Sequence, residues 1–492
     1  MIHTLLHTDA SLALLTDQYE LTMAYGFWKT GMAERRAEFQ MFYRRNPFEG
    51  GFLVLAGLGT LIDMLGDWRF SGADLEYLAT LKDRAEKRLF APAFLDYLGA
   101  LGFNCDVWAA PEGTVVFPNE PLLRVQGPIL QAQLLESFIL NILNFQSLIA
   151  TKAVRVCIAA KGDPVVDFGL RRAQGPDGAL SASRACYIGG CAGTSNTLAG
   201  KLLGIPVMGT HAHSWVMAFA DERAAFAAFA EAMPDNCVFL VDTYGSINGI
   251  RNAIDVARKL KDSGHQPVGI RLDSGDLAYF SKRARAMLDA AGLFEARIMA
   301  SNELDEYVIT SLKNQGARID TWGVGTKLIT AYDDPALSGV YKLSAIQDRA
   351  GDWQYKLKLS EQKAKMSIPG LLQAYRLYDP EGKMAGDAIA DHGEDPAAIR
   401  LIIDPNDNTH QKRFRDVSRV EPLLEQVFAN GRLLAPPPPL ERIRARVREQ
   451  LALLDESHQR FEYPHLYPVG LTPYLNRLRD EMIERERERL NG

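Results

Sequence analysis

The 492-residue sequence predicts an α/β fold centred on a parallel βα barrel, and two observations carry that expectation. Apolar, β-rich runs recur at residues 164–168, 205–208, 237–241, 268–272, 297–300 and 319–322. Each leads into a loop bearing Gly, Ser or Asp and then a helix-like segment, such as 246–261, 276–291 or 303–315. Strand-then-helix repeats make parallel βα units, and six in succession suit a barrel or a large doubly wound sheet. The second observation favours the barrel. Arg171, Arg172, His211, His213, Asp242, Arg271, Asp273, Asn302 and Gly323-Val324-Gly325-Thr326 all fall just after apolar runs. They therefore share one face at the strand C-termini, where barrel enzymes build their sites.

The bulk numbers fit such a protein. Apolar residues make up 47% and charged residues 24%, ordinary values for a globular chain with at least one large core. The net charge of −6 leaves no cationic footprint for nucleic acid. Five cysteines without a CxxC pair suggest reduced thiols and a cytoplasmic protein. Residues 1–4 show no basic segment before an apolar core, so no secretion signal is expected. The most apolar window, 129–150, carries Gln131, Gln133, Glu136, Asn141, Asn144 and Gln146, which predicts a buried helix and no membrane span.

In chain order, residues 14–28 have helical spacing with Thr16 or Asp17 as cap, and 38–43 alternate as a strand does. Residues 72–102 read as short helices. Residues 107–125 read as strands broken by Pro111-Glu112-Gly113 and Pro118-Asn119, which makes 1–125 an α+β unit. The barrel occupies 126–335. Beyond it, 354–359 and 373–378 read as strands, four prolines at 436–439 form a stiff connector, and a helical extension at 436–492 is expected to pack on the outside.

The chemical centre is the turn Gly209-Thr210-His211-Ala212-His213-Ser214, since two of only nine histidines lie there. Imidazole can be base, nucleophile or metal ligand, and Ser214 is a plausible helix N-cap. A metal site would need further ligands on later strands, yet His265 is the only other histidine between 214 and 391. Arg171-Arg172, Arg271 and Lys327 make the predicted face cationic in an acidic chain, which suits an anionic small substrate. Gly323-Val324-Gly325-Thr326 and the small-residue stretch Gly189 to Asn196 offer backbone N–H groups to phosphate. Asp242, Asp273 and Asp276 supply carboxylates for magnesium or a cationic transition state, with Asp276 also readable as a simple N-cap.

Four motifs in order now resemble the nicotinate phosphoribosyltransferase family: Thr16-Asp17-Gln18-Tyr19-Glu20-Leu21-Thr22-Met23, Phe168-Gly169-Leu170-Arg171-Arg172-Ala173-Gln174-Gly175-Pro176, Gly209-Thr210-x-Ala212-His213-Ser214 and Arg271-Leu272-Asp273-Ser274-Gly275-Asp276. The resemblance implies the type II phosphoribosyltransferase fold, an irregular α/β barrel with an α/β sandwich domain drawn from N- and C-terminal segments, to which 336–435 return. It implies synthesis of nicotinate mononucleotide and pyrophosphate from nicotinate and phosphoribosyl pyrophosphate, coupled to ATP hydrolysis in NAD salvage. It also implies Mg2+ with the pyrophosphate and ATP, and a cytoplasmic homodimer with shared sites.

Residue by residue, the resemblance makes His213 the phosphorylated histidine and leaves His211 incidental, at a position where the family pattern varies. Tyr19, from across the dimer interface, and Phe168 would stack on the pyridine ring. Arg171 and Arg271 would hold carboxylate and phosphate groups, with Ser214 and Asn302 also in the binding site. Gly323, Gly325 and Thr326 would grip the 5′-phosphate, and Asp242 and Asp273 would balance charge near the ribose. A nicotinamide phosphoribosyltransferase is the runner-up, opposed by the Phe-Gly-Leu-Arg-Arg stretch; a metal-dependent barrel hydrolase is the alternative from another class.

Overall fold

The computed structural model describes residues 12–359 and 367–491; the expectation about residues 1–4 lies outside them. The chain divides into two compact units, Ile149–Pro335 and the combination of Met1–Leu148 with Ala336–Gly492. The first boundary falls after Leu148, later than the expected 125. Leu130, Phe138, Ile139 and Ile142 belong to the same core as Phe39 and Leu123, so the start of helix Glu136–Ala160 is committed to that core. This helix is long and apolar enough to cross a membrane, but 78% of its most apolar window is buried inside the protein.

Within 149–335, six strands form one parallel sheet in the order Gly193–Thr194, Val165–Asp167, Thr321–Val324, Arg297–Ala300, Gly269–Leu272 and Val238–Leu240. Five of the six predicted runs are present. The sixth, 205–208, makes only a single parallel bridge between Thr194 and Val207. Pro206 has no N–H to give a ladder, and Val207 and Met208 stay exposed. Its place is taken by Gly193–Thr194, which is too short to show any period in sequence. On the far side of the 205–212 segment, the backbone N–H of Leu240 donates to Nε2 of His211 at 3.3 Å. Bridge and imidazole together make the 205–212 segment the link between the two edge strands of the sheet.

Four helices of this unit start on side-chain caps. Asn196, Asp221, Asp276 and Asp305 accept from the backbone N–H of Ala199, Ala224, Tyr279 and Val308. Each such cap is worth about 1 kcal/mol. Asp276 thus follows its plainer reading. The helix at the two-histidine turn differs: it begins at His213 with Ala212 in the cap position, so Ser214 lies inside the first turn and caps nothing.

The second unit carries two larger sheets. The seven-stranded one interleaves N-terminal strands Arg36–Tyr43, Asp106–Ala109 and Leu123–Pro128 with C-terminal strands Gly339–Gln347, Trp353–Tyr355, Glu425–Ala429 and Arg432–Leu433. The six-stranded sheet is built from C-terminal strands, including Leu372–Tyr378 and Met384–Asp391. The last 57 residues are more than an external helical extension. Val469–Leu471 is an internal strand of that sheet, parallel to Met384–Asp391, and Leu471 is fully buried. Three residues flanked by helices Leu440–Leu453 and Pro473–Asn491 give no alternating pattern to read.

Candidate functional site

The barrel gathers four of the predicted residues, His213, Asp242, Arg271 and Asp273, into one hydrogen-bonded cluster at the strand C-termini. Arg271, on the strand Gly269–Leu272, is held on three edges. Its Nε donates to Ser301 Oγ at 2.8 Å, one terminal nitrogen donates to Thr210 Oγ1 at 2.8 Å, and the other pairs with Asp273 Oδ1 at 3.2 Å. The Ser301 hydroxyl also donates to Asp273 Oδ1. The guanidinium lies 5.7 Å from the centre of the Phe168 ring, within cation–π range.

His213 joins this cluster through both ring nitrogens. Nδ1 lies 3.1 Å from Thr243 Oγ1, and Nε2 lies 3.7 Å from Asp273 Oδ2. Asp242 stands behind Asp273: its Oδ2 accepts from the Asp273 backbone N–H at 2.9 Å and from the Ser274 hydroxyl at 2.6 Å. Its Oδ1 is buried and has no hydrogen-bond partner among the described residues. Thr210, Thr243 and Ser301 carry much of this geometry, and sequence reasoning passed over them. Short hydroxyls are common at strand ends, and only their partners reveal the role.

Phe168 and the loop after it are set by Asp167, another residue the sequence reading missed. This carboxylate is fully buried and accepts from the Gly169 backbone N–H, Ser183 and Thr194. Burial raises its pKa, and the three donors work against that rise. Its signal was an acid closing an apolar strand in Val165-Val166-Asp167. Arg171 and Arg172 lie in the exposed turn Leu170–Arg172. On the adjacent strand, a Cβ on Gly323 would sit 2.6 Å from two carbons of the Phe168 ring. The glycine makes room for the aromatic ring, a reason distinct from close approach to phosphate.

Thr326 opens the one-turn helix Thr326–Ile329 after Gly325. Asn302 has φ 115°, a strained conformation for a residue with a side chain. The cationic face is narrower than expected. Lys327 pairs with Asp305 at 2.5 Å, and Arg271 with Asp273, while Arg171 and Arg172 remain exposed. Beneath the site, the fully buried Lys152 pairs with Glu306 at 2.8 Å and Asp333 at 2.6 Å, and Arg155 also holds Glu306. This network ties together the chain segments that follow Asn302 and Thr326. Tyr19 belongs to the other compact unit, half-exposed on helix Gln18–Lys29.

No group of three or more His, Cys, Asp or Glu that could hold a metal occurs among the described residues. Mg2+ fits a different arrangement, carried by substrate phosphates and touching one or two carboxylates. The unpartnered Asp242 Oδ1 is a suitable oxygen for that contact.

Family models agree with this architecture. The nicotinate phosphoribosyltransferase N-terminal domain matches residues 14–144, the nicotinate phosphoribosyltransferase family model matches 164–352, and the C-terminal domain matches 372–479. The nicotinate phosphoribosyltransferase of Bacillus subtilis is 44% identical over 94% of both chains. The crystal structure of human nicotinic acid phosphoribosyltransferase superposes with a TM-score of 0.83 at 34% identity, covering 95% of this chain and 99% of that one. Nicotinate-nucleotide pyrophosphorylase from Pyrococcus furiosus shares the fold, with a TM-score of 0.70 at 22% identity over 92% of this chain and 98% of that one. The chain therefore belongs to the nicotinate phosphoribosyltransferase family and has its type II phosphoribosyltransferase fold.

Proposed function

We propose that this protein joins nicotinate to phosphoribosyl pyrophosphate, forming nicotinate mononucleotide and releasing pyrophosphate, with ATP hydrolysis coupled through His213, as a step of NAD salvage. The observation that carries the reading is the single cluster in which His213 meets Asp273, Asp273 meets Arg271, and Arg271 covers Phe168. In the transfer step the pyridine nitrogen forms the bond to ribose C1′ while the C1′–oxygen bond breaks and pyrophosphate leaves with its electron pair. Phe168 supports the pyridine ring, and Arg171 and Arg271 supply cations for the carboxylate and phosphate groups. Charge-assisted hydrogen bonds of about 1.5–3 kcal/mol each would favour nicotinate over its uncharged amide.

Asp242 and Asp273 face the positive charge that develops on the ribose, and preorganised groups of this kind stabilise a transition state without reorganising. Gly325 and Thr326 hold the 5′-phosphate, Gly323 makes room for the Phe168 ring, and Ser214 and Asn302 complete the pocket. Asp242 is the carboxylate that would hold Mg2+, which would supply charge neutralisation to the pyrophosphate and to ATP. In the coupling step a ring nitrogen of His213 takes the γ-phosphoryl group as the bond to ADP breaks; Thr243 and Asp273 orient the ring. Tyr19 completes the site from the second subunit of a homodimer. Five free cysteines, four of them buried, suit a reducing cytoplasm.

The test is a single reaction containing nicotinate, phosphoribosyl pyrophosphate, Mg2+ and ATP, assayed for the mononucleotide, pyrophosphate and ADP. Nicotinamide at equal concentration should turn over poorly; a preference for it would overturn the assignment. His213→Ala should lose ATP hydrolysis and acid-labile protein phosphorylation while retaining slow ATP-independent transfer. Continued phosphate uptake by that variant would mean a different residue is modified.

A further inference from the structure

The second histidine of the turn has a place of its own. His211 is buried, 8% exposed, with Phe226 and Phe229 rings packed against it at centroid distances of 6.0 and 4.8 Å. Its Nε2 receives the Leu240 backbone N–H, and its Nδ1 lies 3.4 Å from the Ala212 carbonyl oxygen. Leu240 is the last residue of an edge strand whose ladder partners lie on one side only, against Gly269–Leu272. On the open side no strand among the described residues pairs with it, because the 205–212 segment makes a single bridge, at Val207. Two other residues of the turn, Thr210 and His213, enter the site. Thr210 accepts from Arg271, and His213 meets Thr243 and Asp273.

We infer that His211 is a positioning residue: its imidazole stands in for the missing backbone carbonyl at the barrel seam and thereby fixes the turn that presents Thr210 to Arg271 and His213 to the substrate. An acceptor at Nε2 requires the neutral Nδ1–H tautomer. Burial pushes the group down to about 4, so it stays neutral at physiological pH. The placement of His213 rests on the proposed reading of that residue, whereas the seam itself does not.

The test compares wild type with His211→Gln, whose side-chain oxygen can reach the Nε2 position, and His211→Leu, which fills the space without an acceptor. In 15N-histidine NMR, the ring signals lost in both variants should be those of an Nδ1–H tautomer. The Leu240 amide should exchange about tenfold faster in His211→Leu, the weight of one unmatched buried donor, and stay protected in His211→Gln. Per folded molecule, His211→Leu should raise the KM for nicotinate and slow phosphate uptake on His213, and His211→Gln should restore both. A role in folding alone would lower yield or Tm and leave these kinetics unchanged. An Nε2–H tautomer, unchanged Leu240 exchange and kinetics in His211→Leu, or failure of His211→Gln to restore them would overturn the inference. The last of these decides even if His211→Leu does not fold. If wild type takes up no phosphate from ATP, the phosphohistidine reading fails, and tautomer, exchange and KM still decide on the seam.

Discussion

Replacing Gly323 by alanine distinguishes two reasons for a glycine at this strand end. The added Cβ would lie 2.6 Å from two Phe168 ring carbons, against an optimal carbon–carbon separation of about 3.5–4.0 Å, so the ring must retreat by about 1 Å. Phe168 cannot give way easily, because Asp167 fixes the backbone of the next residue through the Gly169 N–H at 2.8 Å. Overpacking of this kind costs roughly 1–3 kcal/mol, which lowers Tm by about 2–4 °C per kcal/mol in a unit of this size. A displacement of about 1 Å at a substrate-contacting ring can cost up to a hundredfold in rate. We therefore expect Gly323→Ala to reduce kcat/KM for nicotinate by about 10–100-fold, with little change in the KM for phosphoribosyl pyrophosphate. Steady-state kinetics with each substrate varied in turn, together with thermal unfolding, measures this. In a Phe168→Leu background, where a smaller side chain can step aside, the penalty of the alanine should shrink, a coupling that a double-mutant cycle reads directly. A rise confined to the KM for phosphoribosyl pyrophosphate, or an additive cycle, would show that Gly323 serves the phosphate and not the ring.

Three further outcomes are expected. Thr210→Val removes one of the three groups that hold the Arg271 guanidinium; the KM for nicotinate should rise about tenfold, with Tm nearly unchanged, and an unchanged KM would deny the clamp. Arg376→Met takes away the buried cation that holds Asp387 at 2.6 Å and faces Glu120; leaving those acids unmatched should cost about 3–5 kcal/mol in urea unfolding, and a loss below 1 kcal/mol would refute that. Glu38 is fully buried, and burial raises its pKa to about 7 despite Arg124 beside it. The folded state then holds this proton more tightly than the unfolded chain, so stability should be full below about pH 4.5 and should fall as pH rises to about 7. Glu38→Gln should flatten that slope, as denaturant midpoints at pH 5 and 8 would report; an unaltered slope would assign it to another group.

How much of this was legible in the sequence depended on whether a residue's signal was local. Five strands announced themselves as apolar runs, and the rule that chemistry sits just past such runs put His213, Asp242, Arg271 and Asp273 on one face, where hydrogen bonds and ion pairs join them. What escaped notice depends on partners far away in the chain. Thr210 and Ser301 matter only because Arg271 lies between them, 61 and 30 residues away. The strand Gly193–Thr194 is two residues long, and Val469–Leu471 three, below the length at which any period can be counted. Lys152 and Arg155 did leave a trace, two charges inside a helix of mostly apolar residues, and such residues stay buried only when paired.

His211 is the sharpest case of a signal that pointed the right way for the wrong reason. Two histidines at one strand end drew attention to the turn, and the motif pattern then kept one and set the other aside. Geometry gives both a physical cause, and the causes are opposite. His213 is partly exposed, with Nε2 facing Asp273 and no backbone group claiming it. His211 is enclosed by aromatic rings, and Nε2 is consumed by a backbone N–H. A nucleophile needs a nitrogen lone pair free to react, and His211 has spent its own on the barrel seam. The same turn can carry reactivity and closure side by side because the two imidazoles point to different environments, a distinction that no spacing rule contains.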